Sequence, residues 1–224
     1  MTVESADQST AAAPADSAAS DTALVAILRG VTPERVVDIG RVLYDAGIRA
    51  IEVPLNSPDP FVSIAKLAAH RADWTIGAGT VLSIDDVRRT HEAGGRLIVA
   101  PNCNPEVIRL ALQLEMRVMP GVATATEAFA AIGAGARQLK LFPAATYGPR
   151  HLEALRAVLP KHVGVYPVGG IAAQDIGRWV AAGAAGFGFG SELFRPEYAI
   201  ADIERRARDL ILALRDAHAA PGRR

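Results

Sequence analysis

Cysteine is nearly absent: Cys103 stands alone in 224 residues. An internal disulfide and a multi-cysteine metal site are therefore excluded, and a reducing compartment is the simpler setting. Charge of either sign is not in excess, with 24 basic and 24 acidic side chains. Apart from a short Arg-rich patch near the end, no block of like charge stands out, which argues against nucleic acid as the main partner, since phosphate binding draws on concentrated positive charge. No window stays apolar for the roughly 18 residues that span a bilayer. Bulky apolar residues are also missing from residues 1–22, MTVESADQSTAAAPADSAASDT, where Ala, Ser and Asp dominate. That stretch reads as a disordered tail. It lacks the basic start and apolar core of a secretory signal, and its acidic residues count against a transit peptide, so the expected location is cytoplasmic.

What remains is rich in apolar residues, half of the chain overall, enough to bury a substantial core without disulfide or metal. From Leu24 onward short β-rich runs alternate with helical patterns. The strand candidates are LVAIL (24–28), AIEVPL (50–55), TIGAGTV (75–81), LIVAP (97–101), RVMPGV (117–122), QLKLF (138–142), VGVYPV (163–168) and AGFGFG (185–190). Most lack polar alternation, as parallel strands covered on both faces do. Ala-Gly recurs at Ala46-Gly47, Ala93-Gly94, Ala134-Gly135 and Ala182-Gly183, where glycine can end a helix in the left-handed conformation. The implied unit is about 25 residues long, and eight such units fill residues 23–224. The expectation is an α/β fold, a single-domain (β/α)8 TIM barrel, compact beside the usual length of about 250 residues. In the last helix Ile200, Ile203, Leu210, Ile211 and Leu214 fall close to one face.

In such a barrel chemistry sits at the carboxyl ends of the strands. Lys140 lies inside QLKLF and Glu52 inside AIEVPL. Both faces of a barrel strand are enclosed, so neither charge escapes burial by turning around. Two readings stand. One is a structural salt bridge, which often contributes little net stability. The other is chemical: burial lowers the lysine pKa and frees a neutral amine that attacks a carbonyl, while a nearby carboxylate moves protons.

Gly169-Gly170 and Gly190-Ser191 close strands seven and eight, where barrels bind phosphate through backbone N–H groups, although glycines there also serve tight turns. Arg29, at the end of strand one, is a candidate clamp for a carboxylate or phosphate, or a solvated surface arginine. GAGT, ending in Thr80, offers close backbone approach and a hydroxyl, or simply packing. His70, His91, His151, His162 and His218 all fall in helices or loops and read as surface histidines, so neither a metal nor histidine-based activation is expected.

The segments AILRG (26–30), IEVPLNSP (51–58), IGAGTVL (76–82), APN (100–102), PGVATATEAF (120–129), LKLFPA (139–144), VGGI (168–171) and GFGSELF (188–194) resemble, in order and spacing, the class I 2-keto-3-deoxy-6-phosphogluconate and 6-phosphogalactonate aldolases. The resemblance spans residues 23–218. It implies a homotrimeric (β/α)8 lyase that needs no cofactor or metal and cleaves a phosphorylated keto-deoxy sugar acid to pyruvate and glyceraldehyde 3-phosphate. It also implies that Lys140 is the Schiff-base lysine and Glu52 the acid-base residue. Gly169, Gly170, Gly190 and Ser191 would hold phosphate, and Arg29 and Thr80 the carboxylate. Pro101, Phe142, Asn56 and Val168 complete the expected substrate contacts. The gluconate enzymes tend to carry Arg at the position of Asn56 and Thr at that of Val168, so this chain resembles the galactonate branch. The gluconate epimer is the alternative substrate. More remote are a phosphosugar epimerase, which in its metal-dependent form would want His and Asp at strand ends, and a non-catalytic phosphosugar-binding barrel.

Overall fold

The computed structural model describes residues 24–219; the tail expected over residues 1–22 lies outside them. The order is β1 (Leu24–Ile27), α1 (Val36–Ala46), β2 (Ala50–Pro54), α2 (Pro60–His70), β3 (Thr75–Gly79), α3 (Ile84–Glu92), β4 (Leu97–Val99), α4 (Pro105–Gln113), β5 (Arg117–Met119), β6 (Gly121–Val122) and α5 (Ala125–Gly133). It continues with β7 (Gln138–Leu141), the short α6 (Ala144–Tyr147), α7 (Pro149–Arg156), β8 (Gly164–Pro167), a 3-10 turn (Ala173–Asp175), α8 (Ile176–Ala181), β9 (Phe187–Phe189) and α9 (Ile200–Ala219).

Local chemistry sets these boundaries. Ser83 and Thr124 open α3 and α5 with capping boxes, each side-chain oxygen accepting from the backbone N–H three residues on while the acid there answers back. Proline occupies the first turn of α2, α4 and α7, where its missing N–H is harmless. The four expected helix stops all hold: Gly47, Gly94, Gly135 and Gly183 have φ of 107°, 84°, 106° and 94°.

Every strand pairing is parallel, in a six-stranded sheet ordered β5-β4-β3-β2-β1-β9 and a three-stranded sheet ordered β6-β7-β8. The (β/α)8 expectation therefore needs correction in its ladder. Alternation and strand direction are as read, but the ladder is divided. One division falls at Pro120, which has no N–H to donate and splits the expected RVMPGV strand between the sheets. At the other, the bridge from Val168 to Gly188, with the Ala185 N–H donating to the Val165 carbonyl at 2.9 Å, joins β8 to β9 and the run into it.

Two bodies of apolar side chains fill the protein. The larger lies between strands and helices and includes Phe187, Ile64 and Leu67. The smaller contains Val25, Ala50, Leu97, Val99, Met119 and Tyr166. Its members come from both sheets, so the inner faces of the two sheets converge on an interior layer. Helix α9 buries Ile203, Ala207, Leu210 and Leu214, whereas Ile200, expected on that face, is exposed in the first turn. No helix of the described residues is long and apolar enough to cross a membrane.

Candidate active site

Because the strands are parallel, their carboxyl ends gather on one edge of each sheet. Glu52 follows Ala50 on the same face of β2, and Lys140 is the register partner of Tyr166; Ala50 and Tyr166 both belong to the interior layer. Both charged groups thus face inward, Glu52 1% and Lys140 6% exposed. Burial pushes the Glu52 carboxyl up to about 7, against the pull of the Lys140 and Arg29 charges. The Lys140 amine is held below the usual lysine range, first by burial and further by Arg29, with Glu52 opposing. Burial thus moves both groups toward their uncharged forms. No ion pair within 4.0 Å joins them among the described residues, and Glu52 Oε2 has no hydrogen-bond partner. The salt-bridge alternative is therefore not what the structure holds. Lys140 Nζ instead lies 4.8 Å from the centre of the Phe142 ring.

Around this pair the predicted residues fall into groups. Arg29 Nη1 donates to Asn56 Oδ1 at 2.5 Å and Nη2 to Thr80 Oγ1 at 3.4 Å, linking the ends of β1, β2 and β3. Phe142, 38% exposed, stands at the end of β7, and a Cβ at Gly169 would come 3.3 Å from its ring. The Ala144 and Ala145 N–H groups donate to the Val168 and Gly169 carbonyls, tying the start of α6 to the end of β8. Gly169 and Gly170 take φ of 99° and 73°, open only to glycine without strain. Val168 is a buried wall residue packed on Gly188. The Gly190 carbonyl accepts from the Leu193 and Phe194 N–H groups, and Ser191 beside it is exposed. Pro101 packs its carbonyl against Gly121 and has no polar link to the others.

Three features go beyond the sequence expectations. Buried Ser57 accepts from the Gly30 N–H through Oγ at 2.9 Å, fixing the loop that carries Arg29. His151 departs from the surface reading: it is partly buried, its Nε2 donates to the Ala123 carbonyl at 2.5 Å, and its ring stacks on Tyr147 with centroids 4.8 Å apart. Gly79 carries the Glu52 carboxylate directly against its α-carbon; no motif in GAGT distinguishes this from ordinary packing. Among the described residues, no three His, Cys, Asp or Glu side chains are grouped as metal ligands would be.

Residues 15–206 match the family model described as KDPG and KHG aldolase. The chain is 45% identical over 196 residues, 87% of its own length and 95% of the relative's, to 2-dehydro-3-deoxy-6-phosphogalactonate aldolase of Escherichia coli K12. It is 48% identical over 187 residues, 82% and 87% of the two lengths, to a probable 2-dehydro-3-deoxy-6-phosphogalactonate aldolase of Rhizobium meliloti 1021. A solved structure described as native KDPGal superposes with a TM-score of 0.87 at 43% identity, covering 88% of this chain and 96% of that one.

Proposed function

We propose, given that the chain belongs to the KDPG and KHG aldolase family, that it cleaves 2-dehydro-3-deoxy-6-phosphogalactonate to pyruvate and D-glyceraldehyde 3-phosphate through a lysine Schiff base. The observation that carries the mechanism is the buried pair: an amine depressed toward its neutral form beside a carboxyl raised to about 7.

In this reading the Lys140 amine attacks the C2 ketone. Loss of water, assisted by Glu52, leaves an iminium. The Glu52 carboxylate takes the proton of the C4 hydroxyl as the C3–C4 bond breaks. The bond's electrons pass to the iminium, giving an enamine and releasing glyceraldehyde 3-phosphate. Glu52 then returns its proton to C3, and water frees pyruvate and Lys140. A carboxyl whose midpoint lies at about 7 suits both duties near neutrality. Arg29 and Thr80 orient the substrate carboxylate, and the N–H groups of Gly169, Gly170, Gly190 and Ser191 hold the phosphate. Asn56, Pro101, Phe142 and Val168 line the path between them. Asn56, which is bonded to Arg29, and the apolar Val168 favour the galactonate over the gluconate epimer, since the polar groups set about the C4 hydroxyl decide which configuration is left without a partner.

The same reading takes the two sheets as arcs of one (β/α)8 barrel, supported by the shared interior layer and the Val168–Gly188 bridge. With it go a homotrimeric assembly, testable by light scattering, and a cytoplasmic location. Reductive trapping with borohydride and pyruvate is expected to add mass at Lys140; fully active protein with no adduct would overturn the role. A lactate dehydrogenase-coupled assay run with both epimers is expected to favour the galactonate substrate. Faster turnover of the other epimer would assign the gluconate reaction instead, and binding without pyruvate release would leave a sensor.

A further inference from the structure

We infer that Gly79 is the positioning residue that sets where the Glu52 carboxylate lies. The inference rests on the acid-base reading of Glu52. A Cβ built on Gly79 would stand 1.5 Å from Glu52 Oε2, 2.1 Å from Cδ and 2.5 Å from Oε1. All three nearest atoms thus belong to that one carboxylate. The glycine is not explained by its backbone, because Gly79 is not among the positive-φ residues, and an alanine could adopt its conformation. What it supplies is empty space.

Gly77, on the same face of β3, is a useful contrast. A Cβ there would meet the Leu97 carbonyl oxygen at 1.8 Å and the carbonyl carbon at 2.5 Å, main-chain atoms of the neighbouring strand. Gly77 lets two backbones approach. Gly79 instead lets the end of one side chain rest against the β3 backbone. Glu52 reaches it from β2, where Pro54 pairs in register with Gly79, as a side chain leaning along its own strand does. The Gly79 carbonyl accepts from the Leu55 N–H at 2.8 Å, which holds the β3 surface in place beneath the carboxylate.

Ordinary contact with a Cβ begins at 3.4 Å, so alanine at this position would drive the nearer oxygen back by about 2 Å. A misplacement of about 1 Å in a reacting group can lower the rate about 100-fold. Gly79→Ala is accordingly expected to lower kcat for aldol cleavage at least about 100-fold while leaving KM within about 2-fold, because the phosphate loops and Arg29 are untouched. Borohydride trapping of pyruvate at Lys140 should persist. The limb of the kcat/KM pH profile that reports Glu52 should move below 7, as a displaced carboxylate leaves its enclosed position.

Glu52→Gln added to Gly79→Ala should lower kcat less than about 3-fold further, since both act through one group. Glu52→Asp, whose shorter side chain vacates the contested space, should raise kcat when added to Gly79→Ala. Gly177→Ala, which meets nothing within 4 Å, is the unchanged control. Full kcat with an unmoved pH limb in Gly79→Ala, or losses that multiply in the double variant, overturns the inference. Full activity in Glu52→Gln instead overturns the acid-base reading beneath it, so the two failures are distinguishable. If Gly79→Ala does not fold, Glu52→Asp/Gly79→Ala decides: recovery of a folded, trapping-competent protein supports the inference, and failure to fold shows that main chain, not the carboxylate, excludes the methyl group.

Discussion

Replacing Glu52 by glutamine should stabilise the protein above neutrality while removing its chemistry. The carboxyl is 1% exposed, one of its oxygens lacks a hydrogen-bond partner, and burial lifts its midpoint from 4.5 to about 7. Below pH 4.5 it is neutral in both the folded and the unfolded chain, and its stabilising preference for the neutral form is fully present. Between 4.5 and about 7 the unfolded chain releases the proton that the folded chain keeps, so stability falls as pH rises, at about 1.4 kcal/mol per pH unit. Above about 7 the carboxyl is ionised in both states and the deficit is constant, at roughly 3 kcal/mol. Glutamine keeps the shape without ionising. Urea unfolding followed by circular dichroism should therefore find Glu52→Gln near wild type at pH 4.5 and more stable by roughly 3 kcal/mol at pH 8. A variant less stable than wild type at pH 8 would show that the ionised carboxylate has a stabilising partner, refuting the account of an unpaired buried acid.

Arg29 lowers the midpoints of both Glu52 and Lys140. Arg29→Met should thus raise both and move the kcat/KM profile to higher pH; a profile of unchanged shape would count against the coupling. Thr124→Ala removes the capping box of α5 and should cost about 1 kcal/mol in denaturant unfolding, with cleavage rate unaltered. Phe187, fully buried and stacked on Phe189, should lose about 3 to 5 kcal/mol on truncation to alanine, whereas Leu212→Ala on the exposed face of α9 should stay within about 0.5 kcal/mol by the same measurement.

The legible parts of this protein are those whose cause is local. Helix ends announced themselves because glycine at Gly47 or Gly183 adopts a backbone angle other residues avoid. Lys140 and Glu52 were visible because a charge inside a short apolar run has few structural uses. The parts that escaped depend on neighbours distant in the chain. Gly30 and Ser57 meet across 27 residues, and the value of Gly79 exists only because Glu52 arrives from the adjacent strand. His151 lies in a helix as expected, yet it is recruited by a carbonyl 28 residues earlier. Pro120 sat in plain sight within an apolar run, but whether a missing N–H merely interrupts a ladder or divides it between two sheets is decided by the strands alongside.

That division puts the acid and the amine of the proposed mechanism on separate jaws. Glu52 rides on the six-stranded sheet and Lys140 on the three-stranded one, with the lysine's own amide donating to the Pro120 carbonyl at 2.9 Å, the very residue where the jaws part. The gap between amine and carboxyl is thus set across two seams that main-chain contacts hold: the Gly121 N–H donates to the Asn102 carbonyl at 3.2 Å at one, and the Ala185 N–H to the Val165 carbonyl at 2.9 Å at the other. Directed evolution toward bulkier keto acids should find its useful changes along those two seams, at Pro120 and at Val168 with Gly188, more readily than beneath the pair itself.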